Sequence, residues 1–289
     1  MIDYLLLGHA AHDRTPNGPQ LGGTVAYASA TAGALGLKTA ILTSAHPADP
    51  VLAGLDHADY RLVPAESSTI FVNTYTPGGR VQMLEGQAAI LTAADVPTEW
   101  RSAPVVHLGP IAQELDATLT PATFPGALVG VTPQGYMRTW DAAGRVSPIP
   151  WAQAAAMLPA ATVTILSQED LGFSQELEHD YAARAARLVV TRAELGATLY
   201  TRGARRDFPA PAIAEVKHPT GAGDVFAAAL LSHVYLHPGD WDAAMRAAVT
   251  LASVFVERCL DPGAPTLEGM REIAADVRVR EVFNASIKN

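Results

Sequence analysis

Short apolar runs of strand length alternate along this chain with alanine-rich segments of helical spacing. That is the pattern made when crossover helices cover both faces of a parallel sheet. Tyr4–Leu7 predicts a first strand, residues 25–35 a helix stopped by Gly36, and residues 39–43 a second strand, together a βαβ unit with a long first connection. Further buried strands are predicted at Val105–Leu108, Leu128–Val131, 163–166, 188–191 and Ala197–Thr201, and helices at 181–186, 225–236, Trp241–Arg258 and 267–277. One stretch breaks the rhythm. Residues 69–75 and 80–84 are rich in β-formers and flank Thr76-Pro77-Gly78-Gly79, which predicts an antiparallel hairpin, either a sheet edge or a flap over a site. The segment from His12 to Gln20 reads as a polar loop rich in turn residues. With no linker and no internal repeat in view, residues 1–289 are expected to form a single domain.

Composition narrows the class. The 289 residues, 49% hydrophobic and 17% charged, can build a large core without staples. Cys259 is the single cysteine, which excludes an intrachain disulfide or a multi-cysteine zinc site and points to a reducing compartment. Twenty basic and 29 acidic residues give a net charge of -9, with no basic cluster, so the long-range field repels a phosphate backbone and nucleic acid is not an expected partner. The amino terminus lacks a basic leader, and every apolar stretch is broken well short of a membrane span. A cytoplasmic protein without a membrane partner is expected.

The chemistry concentrates in His218-Pro219-Thr220-Gly221-Ala222-Gly223-Asp224, followed at once by the strong helix former Val225-Phe226-Ala227-Ala228-Ala229. Small residues at a helix start leave backbone N–H groups unobstructed, and those donors together with the helix dipole suit an anion such as a phosphate. Asp224 in the first turn could accept a proton from a hydroxyl attacking that phosphate. The plain structural alternative is that Asp224 complements the dipole and the glycines turn the chain. His9 and His12 read as loop or packing residues, the four tryptophans as core or rim, and Cys259 as structural.

Thr220 to Asp224 resembles the carboxy-terminal signature of the PfkB, or ribokinase-like, carbohydrate kinases. Leu21-Gly22-Gly23-Thr24-Val25-Ala26-Tyr27-Ala28, with Ala34-Leu35-Gly36, resembles the family's amino-terminal Gly-Gly signature. The resemblance implies a three-layer αβα sandwich with a mostly parallel central sheet and a small β lid, drawn from about residues 10–22 and 66–90. It further implies an ATP-dependent kinase acting on a hydroxyl of a small sugar or cyclitol. In that reading Asp224 is the base, the amides of Gly221, Ala222 and Gly223 form the anion hole, and Arg138 faces the transferring phosphoryl group. Asp13, Gly22, Gly23, Tyr27 and Gln134 would line the acceptor site. Thr191, Glu194, Gly196 and Thr220 would hold the nucleotide, and Asp170 and Glu169 would meet Mg²⁺ through water.

The departures from the family pattern are specific. His218-Pro219 stands where Asp-Thr is common, Ser167 and Asp170 replace an Asn and a Glu, and Ala193 replaces a glycine. Tyr27 stands where sugar kinases often carry an Asn, which suggests an acceptor ring with an apolar face. The hairpin and the Gln134–Arg138 loop look most like the inositol kinase-like branch, and the short Gly8-to-Gly22 connection predicts a lid smaller than the multistrand ribokinase type. Two alternatives stay open: a nucleoside kinase of the same fold, and a non-catalytic nucleotide- or sugar-binding protein built on it. The partner expected is a small-molecule polyol, with a homodimer left open.

Overall fold

The computed structural model describes residues 1–15, 18–76, 79–259 and 263–285. The first half of the chain runs β1 (Tyr4–Leu7), β2 (Ala11–Thr15), β3 (Gly18–Gly22), α1 (Thr24–Ala34), β4 (Thr39–Ala45), β5 (Asp59–Pro64), β6 (Thr69–Thr76) and β7 (Gly79–Gly86). The second half runs β8 (Val105–Leu108), β9 (Leu128–Val131), β10 (Arg138–Trp140), β11 (Val146–Pro148), α2 (Ala154–Ala160), β12 (Val163–Ser167), α3 (Gln175–Arg184), β13 (Arg187–Thr191), β14 (Ala197–Thr201) and β15 (Ala204–Phe208). It closes with α4 (Ala222–Leu236), α5 (Trp241–Arg258), α6 (Leu267–Ala274) and α7 (Val277–Ala285).

The described residues form a central sheet in the order β15-β14-β13-β12-β9-β8-β1-β4-β5. It is parallel from β13 through β5, with β14 and β15 added antiparallel at one edge. Alternation along each strand feeds two cores. Tyr4, Leu6, Ile41 and Val105 pack with α1, α4 and α5 on one face, while Leu5, Leu7, Leu42 and Val106 pack on the other with Met157 and Leu158 of α2 and Tyr181 of α3. The expected α/β class and αβα layering are therefore observed. α1 is buried continuously from Thr24 to Ala32, and α4 from Val225 to Val234. Both are wedged between the sheet and outer helices, which is why they read as small and apolar all round rather than as one-sided stripes.

A second sheet, in the order β3-β2-β6-β7, is built from the two segments expected to supply a lid, about residues 10–22 and 66–90. The hairpin expected from the 69–84 pattern is present as antiparallel β6 and β7, while its Pro77-Gly78 turn lies outside the described residues. The polar loop expected at 12–20 is instead the hairpin β2–β3, with β2 parallel to β6. Its strand character was hidden because β3 is an edge strand carrying Gly18 and Pro19, and edge strands tolerate both. The Gly8-to-Gly22 connection thus contributes two lid strands, not the minimal cover its length suggested. Two helix boundaries also moved. Ser174 caps α3 seven residues ahead of the predicted start, accepting from the Leu177 amide at 3.2 Å. The predicted 267–277 helix is divided into α6 and α7 because Asp276 caps the second piece, accepting from the Arg278 amide at 2.8 Å. No described helix is long and apolar enough to cross a membrane.

Candidate active site

β1 comes first in the chain yet lies near the middle of the sheet. The chain moves from it outward through β4 and β5, then returns to β8 on its other side. Such a reversal opens a crevice beyond the carboxyl ends of the neighbouring strands. There a Cβ on Gly8 would sit 2.4 Å from the carbonyl oxygen of Gly109, so these two strand ends approach closer than any side chain permits. The amino termini of both long buried helices reach this crevice. Gly23 opens α1 at φ 85° and Gly221 opens α4 at φ 82°. A Cβ at Gly221 would fall 2.2 Å from the Tyr27 ring, so backbone conformation and close packing both require glycine at that turn.

Asp224, half-buried in the first turn of α4, accepts a hydrogen bond from Thr24 in the first turn of α1. Burial raises its carboxyl pKa to about 6; the Thr24 hydrogen bond and the Arg138 charge pull it down, and the Asp170 charge pushes it up. A carboxylate poised near neutrality suits proton abstraction better than one at the ordinary value. Gly223 is exposed, with open space where a side chain would project, so the turn faces the crevice. No side chain caps α4. The Ala222 amide donates to the Pro219 carbonyl at 3.2 Å, so of the three amides assigned to the anion hole this one is already engaged.

The acceptor side is assembled from β1, β2, β3 and the loop after β8. Asp13 pairs across the lid with Gln20 and Phe71, and its carboxylate lies against Gly22, where a Cβ would meet Oδ2 at 2.2 Å. Asp13 therefore adjoins the Gly22 backbone. Tyr27 packs against the Gly221 turn. It is 2% exposed, packed between Gly221 and Phe255, and serves as a wall behind the α4 turn. Sequence reasoning missed Glu114. Fully buried, it accepts from the amides of His9 (2.9 Å), Ile111 (2.9 and 3.0 Å) and Ala112 (2.7 Å), and so ties the loop after β8 to the end of β1. His9 is likewise buried, bridging Thr69 Oγ1 at 2.6 Å and the Ala89 carbonyl at 2.8 Å at the root of the lid.

On the donor side, Asp170 Oδ2 accepts from the Ser167 amide and hydroxyl, both at 2.8 Å, and its Oδ1 faces Gln134 Nε2 at 3.4 Å. Ser167 at this position thus closes a turn that aims the shorter aspartate. Thr191 ends β13 beside Ser167 in register. Glu194 and Glu169 are exposed. Gly196, at φ 94°, lies where a Cβ would meet the Phe208 carbonyl at 2.1 Å, and Ala193, replacing a family glycine, is held at φ 48°. Arg192 in the same loop is turned away, ion-paired with buried Glu178. Among the described residues no three His, Cys, Asp or Glu side chains gather as a metal-ligating group.

Residues 144–261 match the model of the pfkB family carbohydrate kinases. The matched stretch is 118 of the 289 residues. Asp224 and the Gly-Ala-Gly turn fall inside it, and the resemblance read from the two signatures is borne out at this level. Among solved structures, this chain is similar to a pyrophosphate-dependent myo-inositol-1 kinase converted by mutation into a myo-inositol-3 kinase. The identity is 18%, the TM-score 0.78, and the coverage 95% of this chain and 99% of that one. It is also similar to Arabidopsis thaliana ribokinase complexed with ribose and ATP (17% identity, TM-score 0.72, 95% and 99% covered). Vibrio cholerae fructokinase with fructose, ADP and calcium bound aligns at 20% identity and TM-score 0.70, with 92% and 96% covered. These likenesses establish the ribokinase fold. Among curated proteins none matches the sequence significantly. The pfkB match indicates the enzyme class, a phosphotransferase with an alcohol group as acceptor.

Proposed function

We propose that this protein is a cytoplasmic kinase that transfers the γ-phosphoryl group of ATP, delivered with Mg²⁺, to a hydroxyl of a small sugar or cyclitol. One observation carries the reading: a carboxylate with its pKa raised to about 6 by burial stands in the first turn of a helix whose open amino terminus faces the crevice, with Arg138 and Asp170 within electrostatic reach. Phosphoryl transfer asks the protein mainly for alignment and for neutralisation of charge on the moving group. Asp224 would take the hydroxyl proton. The amides of Gly221 and Gly223 and the Arg138 guanidinium would stabilise charge on the transferring oxygens. Asp13 and the Gly22-Gly23 backbone would hold the acceptor, and Gln134 would reach it from the opposite wall. Thr191, Thr220, Glu194 and Gly196 would border the nucleotide, with Asp170 and Glu169 ordering water around its cation.

The lid supports the same reading, because a kinase must keep water from the phosphoryl group or hydrolyse its donor. The decisive assay supplies ATP or pyrophosphate as donor against a panel of cyclitols, sugars and nucleosides and follows product formation. Asp224→Asn is expected to lower turnover by about 10³-fold or more while leaving nucleotide binding largely intact. Unchanged turnover in that variant removes Asp224 from the mechanism, and a nucleoside as the best acceptor replaces the polyol assignment.

A further inference from the structure

Beneath α4 lies a polar chain that the proposed machinery does not use. Alternation along β9 places Gly130 and Thr132 on the α4 face, where a Cβ on Gly130 would meet the Leu231 side chain at 2.5 Å. Fully buried Tyr4 hydrogen-bonds His107 Nδ1 at 3.0 Å, and His107 Nε2 contacts Thr132 Oγ1 at 3.0 Å. Burial holds the imidazole neutral, with its pKa near 3. A neutral imidazole donates from one nitrogen and accepts at the other, so the two contacts fix each other's direction. The buried phenol keeps its hydrogen satisfied by donating to Nδ1. The Nε2–H then donates to Thr132, whose own hydroxyl hydrogen is left for another acceptor.

Thr132, at the end of β9, lies between the strands assigned to donor and acceptor. In the sheet, β9 stands between β12 and β13, which carry the donor-side residues, and β8 and β1, which lead to the acceptor side. The point where a Gly109 Cβ would lie is 2.5 Å from Thr24 Cγ2 and 3.4 Å from Thr132 Oγ1, so Thr132 sits across Gly109 from the threonine that holds Asp224. The Asp224 charge reaches far enough to act on Tyr4 at the other end of the chain. The turn that immediately follows Thr132 delivers Gln134 and Arg138.

We propose that Thr132 donates a hydrogen bond to an oxygen of the phosphoryl group being transferred, and that Tyr4 and His107 are positioning residues that aim its hydroxyl by fixing the imidazole tautomer. The proposal rests on the kinase reading above. Thr132→Val, which keeps the shape and removes the donor, is expected to lower kcat 10- to 100-fold with KM for the acceptor within about threefold. Thr132→Ser is expected to restore most of kcat. Tyr4→Phe frees the imidazole to accept from Thr132, which withdraws the hydroxyl hydrogen, so a smaller fall in kcat at unchanged KM is expected. Nitrogen-15 NMR of the wild-type protein is expected to show His107 protonated at Nε2. A His107 protonated at Nδ1, or a Thr132→Val enzyme within twofold of wild-type kcat, overturns the assignment. Should the wild type transfer phosphate from no donor, the kinase reading fails by itself, and inorganic phosphate becomes the probe. A phosphate-dependent shift of the His107 Nε2–H signal that Thr132→Val weakens at least fivefold supports Thr132 as an anion donor, and equal binding by both proteins rejects it.

Discussion

Asp224 is an ionisable group kept where its charge is costly. Burial holds its carboxyl protonated to about pH 6, whereas an aspartate in the unfolded chain ionises near 3.8. Between those values the unfolded chain binds fewer protons than the folded one, so this residue makes stability fall as pH rises from about 4 to about 6, and the deficit persists above that window. Replacing it with Asn removes the buried charge. Asp224→Asn is therefore expected to melt higher than wild type at pH 7 to 8, with the difference shrinking toward zero below about pH 4, as thermal denaturation across pH will read. A lower melting temperature at neutral pH would mean that the Thr24 hydrogen bond outweighs desolvation. Wild-type kcat/KM should correspondingly rise with pH through about 6 as the base ionises.

At the scale of elements, the loop after β8 shows how one buried side chain can set a segment that has no secondary structure of its own. The Glu114 carboxylate satisfies amides of His9, Ile111 and Ala112 that would otherwise be buried without partners. Glu114→Ala is expected to cost on the order of 3 kcal/mol, because unpaired buried donors carry the full desolvation penalty. Chemical denaturation measures this, and a loss under about 1 kcal/mol would mean that water replaces the carboxylate. Turnover should fall as well, since the loop also holds Gly109 against Thr24 and the Gln113 side chain to the Arg138 carbonyl. The β2–β3 hairpin makes the converse point. Its polar and turn-forming residues are strands only because β6 offers β2 a parallel partner.

Across the whole molecule, the central sheet and the lid differ in how they are held. β1, β8 and β9 feed large buried clusters on both faces, while the second sheet's small apolar cluster is built on Ala11, Phe71, Leu84, Ile111 and Ala112. A sheet with so little buried surface exchanges its amides through local opening, at lower cost than global unfolding. Binding of acceptor and donor together is therefore expected to slow hydrogen exchange in β2, β3 and β6 far more than in β1 and β8. Equal protection in both sheets would rule out the lid as the closing element.

The sequence by itself determined the parallel core and the glycine-rich turn that opens α4. Continuous apolar runs such as Tyr4–Leu7 and Val105–Leu108 can be satisfied only by burial on both faces, and Gly221 must be glycine wherever the turn is placed, because its φ is positive. Local pattern carries such information because it concerns each residue's own conformation and solvation. The tertiary structure decided what depends on partners distant in the chain. It paired β2 with β6, packed Tyr27 behind the α4 turn, engaged the Ala222 amide, and aligned Tyr4, His107 and Thr132 beneath α4. A phenol 103 residues from its imidazole, and a hydroxyl 25 residues further on, leave no periodic trace. Only the register of three adjacent strands brings them into one line.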